Sequence, residues 1–341
     1  MMPRTDRAAS IQRQYEVYGM PCCVGADSPR LLDAWESFFG AARVDRGTED
    51  VSRFSLVVHL SAGGKTAWPW WEQRLAGVEP TQPADGLLHL RGEHHQLTLL
   101  DEAGTYVGHS VPERWVEAWM PADTGSVASV EAVAFWAMRH CCDLIRACLT
   151  DSHRSLHASA VGRDGYGVLI AGSPDSGKTT LALALAERGW DLLSEDLTVV
   201  RFDTHLPTVL PLVLCIRADW TTLEMLPRLR ALTGKETRDH HVVLPGRRLQ
   251  RVYRTPTGSA WRAKAVLLPT VVRSAPTRVT RLDPKEALLR LLNLWSPYDR
   301  TEDRLKLEHQ YRIASSVPVF SVASGVHAGA IVEKELSHAL T

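Results

Sequence analysis

The pattern of apolar and polar positions is clearest in the second half of the chain, where two apolar runs flank a glycine-containing loop. The run 166–171 is continuously apolar and short, which predicts a buried strand. The run 180–188 is rich in leucine and alanine and stops at Gly189, which predicts a helix with a glycine at its end. The pattern therefore predicts strand, loop and helix in direct succession.

Further runs around this centre predict a mixed α/β second half. Asp283, Pro284 and Glu286 form a helix start, because a capping side chain, a first-turn proline and an acid follow in order. The predicted strands are 190–193, 210–217, 265–272 and 318–322, and the predicted helices are 283–294 and 328–340.

A polar stretch, 228–262, separates two of these strands and is rich in arginine and histidine. It is either a solvated basic loop or a flexible flap over a substrate. Arg247 or Arg248 is a candidate to stabilise transferred phosphate charge, since guanidinium groups bind phosphate bidentately. His240 and His241 lack partners at metal-ligand spacing.

The first half alternates short strand-like runs with one helix, which predicts an α+β module. The helix is Pro29–Phe39, and the strands are 15–24, 54–60, 86–90, 96–99 and 105–108. Trp68, Trp70 and Trp71 lie within four positions. Such a cluster is either a binding surface or part of a packed core, and the pattern favours packing.

The most apolar long stretch, 127–149, predicts a helix between the two halves. Glu131, Arg139 and Asp143 within it exclude a membrane span. We therefore expect an N-terminal module over 1–126 with a possible role in substrate recognition, a bridging helix over 127–152 and a catalytic domain over 153–341.

Composition narrows the class of protein without identifying it. The 341 residues are 45% hydrophobic and 23% charged, which is ordinary for a folded globular chain. Lys plus Arg and Asp plus Glu are equal at 39 each, so net charge gives no reason to expect a nucleic-acid partner. The six cysteines lack C-x-x-C spacing, and Met1–Arg7 is followed by no apolar run, so we expect reduced thiols, no signal peptide, no membrane partner and a cytoplasmic protein.

The loop itself reads G-x-x-x-x-G-K-T and predicts a phosphate-binding loop (P-loop). Its glycines let successive backbone N–H groups converge on a polyphosphate, and the helix that follows adds its positive end. Lys178 would reach the β- and γ-phosphates of ATP, and the Thr179 hydroxyl would ligate Mg²⁺. The predicted nucleotide-binding residues are Gly172, Ser173, Pro174, Asp175, Ser176, Gly177, Lys178, Thr179 and Thr180.

Two further candidates flank this loop in sequence. Glu195 and Asp196 follow the predicted strand 190–193, which we expect to lie beside the loop strand. Adjacent carboxylates at a strand end can divide the work of binding metal and accepting a proton. His157 lies upstream and is either a satisfied polar group or a group that contacts phosphate or orients the acceptor.

Taken together, the segment from His157 to Arg201 resembles the catalytic core of the HPr serine kinase/phosphorylase family. It is more similar still to the HPr-kinase-related proteins often associated with natural-product and peptide-modification pathways. The resemblance implies an α/β fold with a P-loop, HPr-kinase/PEP-carboxykinase-like core. It also implies that Glu195 is the catalytic carboxylate, that Asp196 lies near the metal and that His157 lies near the transferred phosphate.

Several positions depart from the family pattern, among them Asp175 in the loop, where small residues are commoner. Glu195 stands where the family usually has aspartate, so the base would carry one more methylene group. Ala158 stands where the bifunctional enzymes usually have glycine, which puts a phosphatase or phosphorylase activity in doubt. Pro174 removes one backbone donor from the loop.

The sequence thus predicts a kinase that transfers the γ-phosphate of ATP·Mg²⁺ to a hydroxyl group. The expected acceptor is a serine or threonine of a peptide or protein, and a small metabolite is an alternative. A nucleotide-binding regulatory module without catalysis and a P-loop ATPase are the rival interpretations. The acceptor, the choice of ATP over GTP and the oligomeric state, for which the resemblance suggests a homo-oligomer, stay open.

Overall fold

The computed structural model describes residues 11–44, 56–63, 67–82, 87–122, 129–149, 151–203, 205–233, 241–292, 294 and 303–340. The chain divides into two compact units, Met1–Cys148 and Leu149–Thr341. The predicted strand starts at Phe54 and Gly86, the first residues of the predicted bridging helix and His240 lie outside the described residues.

The first unit is built on a seven-stranded sheet in the order β1-β2-β3-β7-β6-β5-β4. Its strands are β1 (Ile11–Val17), β2 (Met20–Ala26), β3 (Leu56–Ala62), β4 (Leu88–Arg91), β5 (His95–Leu99), β6 (Tyr106–Ser110) and β7 (Trp115–Met120). The sheet is mixed, because β3 pairs in parallel with β2 and β7 while the remaining neighbours are antiparallel.

One predicted strand, 15–24, is two strands in the structure. Tyr18 and Gly19 both have positive φ, 54° and 79°, and form the turn of the β1–β2 hairpin. The prediction was wrong there because alternation continues across a tight turn, whose mark in the sequence is only one glycine.

The helices of the first unit are α1 (Pro29–Phe39), α2 (Trp68–Arg74) and α3 (Val130–Cys148), with a 3₁₀ turn at Gly40–Ala42. The bounds of α1 are those predicted, because the Ser28 hydroxyl caps the helix by accepting from the Leu31 N–H. Helix α3, the expected bridging helix, belongs to the first unit, where it packs against α1, β6 and β7.

The tryptophan cluster lies on α2 and confirms the packing interpretation. Trp71 is fully buried and stacks on Trp115 with ring centroids 5.5 Å apart. Its Nε1–H donates to the buried carboxylate of Glu117 at 3.0 Å. Trp68 and Trp70 are partly buried against the same cluster.

Three histidines are also buried in the first unit, linked through a threonine. Thr98 Oγ1 lies 3.0 Å from His89 Nδ1 and 2.9 Å from His140 Nε2. His140 Nδ1 in turn lies 2.9 Å from His109 Nδ1. We call these four residues the histidine cluster. Burial, followed by the charges of neighbouring basic groups, holds the pKa of His140 well below its usual value.

The second unit is built on a nine-stranded sheet and a separate two-stranded sheet. The strands of the large sheet are β8 (His153–Leu156), β9 (Ala158–Arg163), β10 (Tyr166–Ala171), β11 (Asp191–Ser194), β12 (Thr198–Arg201), β13 (Thr208–Leu210), β16 (Trp261–Pro276), β17 (Arg278–Arg281) and β18 (Val319–Val326). The small antiparallel sheet pairs β14 (Cys215–Asp219) with β15 (His241–Pro245). The helices are α4 (Lys178–Glu187), α5 (Trp220–Met225), α6 (Pro227–Arg230), α7 (Gly246–Leu249), α8 (Pro284–Leu292), α9 (Asp303–Ser316) and α10 (Ala328–Leu340).

Four strands of this sheet run in the same direction. β16 pairs in parallel with β10 and β18, and β9 is antiparallel to both β10 and β11, so β11 also runs parallel to β10. The carboxyl ends of β10, β11, β16 and β18 therefore meet at one edge of the sheet, which is where α/β proteins bind ligands. We call this edge the loop edge.

The prediction that the strand leading to Glu195 lies beside the loop strand is wrong. β9 lies between β11 and β10 and pairs with both. Strand order depends on pairing across the sheet, which the alternation of residues along one strand does not encode.

The predicted strand 210–217 is also two elements, β13 and β14. Pro211 directly follows β13, and a proline cannot donate to a sheet ladder, so the strand ends there. Helix α9 was not predicted, because its sequence is largely polar and shows little helical periodicity. Helix α10 has the predicted bounds.

Apolar cores cover both faces of this sheet. One core contains the buried leucines and alanines of α4 together with β10 residues Val168 and Ile170. The other contains the alternate residues Leu169 and Ala171, with residues of α8 and α9. No helix among the described residues is long and apolar enough to cross a membrane.

Candidate functional site

The Gly172–Thr179 segment joins β10 to α4 at the loop edge, as predicted. Gly177 precedes the helix with φ of +94°, a conformation that favours glycine. A Cβ at Gly177 would lie 3.0 Å from Val271 Cγ2, and one at Gly172 would lie 2.4 Å from Ser176 Oγ. Both glycines are therefore required by close contacts, and the loop folds tightly above the end of β10.

Lys178, the first residue of α4, extends back over this loop. Its ammonium group donates to the Ser173 carbonyl at 2.9 Å, and the side chain is buried. Burial lowers the pKa of Lys178, while the carboxylates of Glu195, Asp196 and Asp175 act in the opposite direction. The lysine is thus a desolvated cation surrounded by carboxylates.

The positions of His157 and Asp196 follow from the pairing of two continuous ribbons. β8 leads into β9 with only His157 between them, and β11 leads into β12 through residues 195–197. Since Ser194 pairs with Ala160 and Thr198 pairs with Leu156, His157 lies opposite residues 195–197. The His157 Nδ1 atom lies 2.8 Å from Asp196 Oδ1.

Buried hydrogen bonds stabilise the turn that carries Glu195 and Asp196. Ser194 Oγ lies 2.6 Å from Thr198 Oγ1, which donates to the Ala158 carbonyl at 2.7 Å. Asp196 has φ of +60°, an uncommon conformation for a residue other than glycine, and its side chain is 54% exposed. The buried clasp and the constrained backbone together present the Asp196 carboxylate to solvent beside His157.

Glu195 points in the other direction, towards the loop. The Thr179 hydroxyl donates to Glu195 Oε1 in a short contact. Burial, followed by repulsion from Asp196, raises the pKa of Glu195 to about 8, although contacts with Thr179, Lys178 and Ser159 lower it. A carboxylate with this pKa is a stronger base than a solvated one.

The structure therefore brings Lys178, Thr179, Glu195, Asp196 and His157 together. Thr180 differs, because its hydroxyl lies 3.0 Å from Thr222 Oγ1 of α5, so only its backbone is available for the predicted role. Ser173, Pro174 and Asp175 form the exposed crest of the loop, whereas Ser176 is buried.

The basic stretch does not contribute a described side chain to this constellation. Arg247 and Arg248 are exposed on the short helix α7, and no contact of either with Lys178, Glu195 or Asp196 is found among the described residues. Within the same described part of the chain, no group of three or more His, Cys, Asp or Glu side chains is arranged to hold a metal ion by itself.

Three residues of the site were missed from the sequence. Ser159 contributes to the pKa of Glu195, Val271 contacts Gly177, and Thr222 holds Thr180. A small polar residue inside an apolar strand was a signal for Ser159. Val271 and Thr222 belong to elements whose position depends on the tertiary fold, so no local signal was available.

Comparisons with known proteins give distant structural similarity and no match in sequence. No family model matches the chain, and no curated protein matches it in sequence. Among solved structures, it is similar to the HPr(Ser) kinase/phosphatase from Coxiella burnetii, with 18% identity and a TM-score of 0.27, over 54% of this chain and 95% of that one. A similarity at this level establishes neither family membership nor activity.

Proposed function

We propose that this protein is an ATP-dependent kinase that transfers the γ-phosphate of ATP·Mg²⁺ to a hydroxyl group, the acceptor being a serine or threonine of a peptide or protein. The observation that carries the proposal is the contact between the Thr179 hydroxyl and Glu195. This contact places a carboxylate of raised pKa beside a loop of phosphate-binding type, at the carboxyl ends of parallel strands. Phosphoryl transfer needs little more than this, because its catalysis is mainly positioning and charge stabilisation.

The residues present suit a nucleotide triphosphate. The Ser176 hydroxyl is buried, has no hydrogen-bond partner among the described residues and lies against Gly172, inside the turn of the loop. The absence of a Cβ at Gly172 and Gly177 lets the loop fold tightly at the start of α4, where backbone N–H groups would face a phosphate. Gly172–Thr180 would hold the phosphates, with Lys178 as the cation and Pro174 as the one position without an N–H.

The residues of the site also suit a magnesium ion. Hydroxyl and carboxylate oxygens are the ligands Mg²⁺ prefers, and it is usually held by one or two protein oxygens together with phosphate. Thr179 and Asp196 would supply those oxygens. When bound, the ion would neutralise phosphate charge.

Glu195 is the proposed general base. It is half-buried, and its raised pKa suits acceptance of a proton from a hydroxyl. His157 lies against Asp196, which fixes the orientation of the ring, so His157 is proposed to orient the acceptor or a phosphate oxygen.

The proposal also assigns a role to each of the two units of the chain. Residues 153–341 would be a P-loop catalytic domain of the HPr-kinase/PEP-carboxykinase-like type, and the first unit would aid substrate recognition. The protein would act in the cytoplasm on a non-nucleic-acid acceptor, as a homo-oligomer.

The test combines γ-labelled ATP, Mg²⁺ and lysate of the host cell with the wild type, Lys178→Ala and Glu195→Gln. Glu224→Gln is the matched control, because Glu224 is an exposed glutamate on α5. We expect label on a peptide, protein or metabolite with the wild type and Glu224→Gln only. Nucleotide binding with no label transferred, unchanged by Glu195→Gln, would show a binding module instead. Steady phosphate release without an acceptor would show an ATPase.

A further inference from the structure

Strands β16, β18 and β17 lie on the opposite side of the loop strand β10 from Glu195, and they carry exposed side chains at the loop edge. Ala323 of β18 pairs with Thr270 of β16 on one side and with Arg278 of β17 on the other. Directly paired residues point to the same face of a sheet, so these three form a row across three strands. Thr270 and Arg278 are exposed, and Ala323 between them is small. We call this the Thr270–Arg278 row.

The row begins next to the loop. β10 and β16 are paired up to Ile170 with Leu267, and a Cβ at Gly172 would lie 3.6 Å from the Pro269 carbonyl oxygen. Thr270 is the next residue of β16. The row therefore extends the loop edge away from the loop, on the opposite side from Glu195.

Close backbone contacts fix where Arg278 lies. The Thr277 hydroxyl accepts from the Gly325 N–H at 3.0 Å, and Thr277 is buried. A Cβ at Gly325 would lie only 1.9 Å from the Ala275 carbonyl oxygen. The end of β18 thus packs closely against the end of β16 and against Thr277, the residue that joins β16 to β17, so the position of Arg278 is preorganised.

The carboxylates nearest in sequence are engaged elsewhere. Asp283 Oδ1 caps α8 by accepting from the Lys285 and Glu286 N–H groups at 3.0 Å. Glu286 pairs with Arg290 at 2.7 Å. Among the described residues no ion pair to Arg278 is present, so its guanidinium is available to a carboxylate from a partner.

The geometry points to the Thr270–Arg278 row as the docking surface of the acceptor, which would be an extended peptide segment with an aspartate or glutamate several residues from its serine or threonine. This inference rests on the proposed kinase function and adds the substrate class. Strands β10 and β17 are three intervals of ~4.8 Å apart, about 14 Å in all. Extended chain covers ~3.3 Å per residue, so an acidic side chain about four positions from the acceptor residue would meet Arg278.

Arg281 is a matched control for Arg278. It lies on the same strand, is likewise exposed and pairs with Phe320 of β18. It is three residues further from the loop edge, ~10 Å along the strand, and points to the other face. A general effect of positive charge on β17 would involve both arginines equally, whereas docking on the row would involve Arg278 alone.

The experiment uses a library of serine and threonine peptides in which each flanking position carries Glu, Ala or Lys, with γ-labelled ATP and Mg²⁺. The full-length wild type should favour Glu over Lys at one position, about four residues from the acceptor, by roughly five-fold, as for a partly exposed ion pair. Arg278→Glu should reverse this preference to Lys, and Arg281→Glu should keep it. The KM for ATP should be the same in all three proteins, and 0.5 M salt should weaken the wild-type preference.

Several outcomes would overturn the inference, and they differ from failure of the proposed function. Equal preferences in the wild type and Arg278→Glu would remove the docking role while the kinase stands. Label on lysate components or a small metabolite, with no library peptide labelled, would do the same. Absence of any label on any acceptor would remove both.

Discussion

The loop edge of the second unit and the histidine cluster of the first both hold ionisable side chains away from water, yet they differ in charge and access. At the loop edge, Lys178 is partly desolvated among carboxylates, Glu195 interacts with both Lys178 and Asp196, and Asp196 reaches solvent. In the histidine cluster, His140 is 4% exposed and its two ring nitrogens lie within hydrogen-bond distance of Thr98 and His109. A site for chemistry keeps an opening to solvent, whereas a structural polar cluster is closed and finds its hydrogen-bond partners within itself.

The comparison predicts opposite results from removing a polar group in each region. A residue that serves a reaction is often unfavourable for stability, so its loss removes activity and spares the fold. A satisfied structural group gives the reverse result, because its loss leaves its buried partners unsatisfied.

The largest expected effect is that of Lys178→Ala on label transfer. Transfer should fall by roughly 10³-fold, because a preorganised cation near developing phosphate charge is lost. The melting temperature should be unchanged or higher, since a buried cation costs free energy. Initial rates and calorimetry on the same preparation measure both. A clear fall in melting temperature would instead assign Lys178 a structural role.

The next effect is that of Glu195→Gln, which keeps the shape of the side chain and removes its basicity. We expect transfer to fall by about 10²- to 10³-fold with nucleotide affinity kept within a few-fold. Glu195→Asp should retain more activity than Gln, because the carboxylate survives one methylene shorter. Equal rates for the Gln and Asp variants would argue against proton transfer by this residue.

Trp71→Leu is the counterpart in the first unit. It removes the Nε1–H bond to Glu117 and opens a cavity beside Trp115, so the unfolding free energy should fall by about 3 kcal/mol. The KM for ATP should not change. Urea unfolding provides the measurement, and the exposed Gln73→Ala on the same helix is the control. A loss below 1 kcal/mol would show that the core closes around the smaller side chain and that the Tyr106 hydroxyl, which donates to Glu117 at 2.8 Å, suffices for that carboxylate.

Lowering the pH should destabilise the region around His140 in the first unit. Its folded pKa lies below the unfolded value of about 6.5, so the folded state prefers the neutral ring. Stability from this group is present above pH ~6.5 and falls below it, by up to about 1.4 kcal/mol per pH unit. Hydrogen exchange of α3 amides between pH 7 and 5, corrected for intrinsic rates, should show this loss, and His140→Gln should reduce the slope. An unchanged slope would mean that His140 is not the group responsible.

The smallest expected effect is that of Thr222→Val, which removes the partner of the Thr180 hydroxyl. The unfolding free energy should fall by about 1 kcal/mol, and the KM for ATP should rise slightly with kcat unchanged. Thr222→Ser should restore both values. A fall in kcat alone would place Thr222 closer to the chemistry than the structure indicates.

How far the sequence predicts the site depends on whether each interaction is local. The loop, Lys178 and Thr179 were predictable because a strand, two glycines and a helix are adjacent along the chain. Helix α1 was predictable for a similar reason, since Ser28 and Pro29 mark its start. The insertion of β9 beside the loop strand was not, because it depends on pairing between distant segments.

The histidine cluster is a second feature that could not be predicted from the sequence, because it too depends on non-local packing. His89, His109 and His140 lie on three separate elements, and each is a polar residue that a pattern of single strands would assign to the surface. Their burial follows from the packing of α3 on the sheet, and their satisfaction requires Thr98 between them. Neither condition is visible from one element alone.

The two ribbons that carry His157 and the acidic pair have a consequence for how this protein can change. His157, between β8 and β9, faces residues 195–197, between β11 and β12, because paired residues lie on both sides, Ser194 with Ala160 and Thr198 with Leu156. Side chains at His157 and at residues 195–197 can be exchanged without disturbing that alignment. Chain length cannot, because one residue gained or lost between the paired positions would move every later side chain of the ribbon to the opposite face. Variation among descendants of this sequence should therefore consist of substitutions here, with insertions and deletions confined to the segments beyond the paired strands.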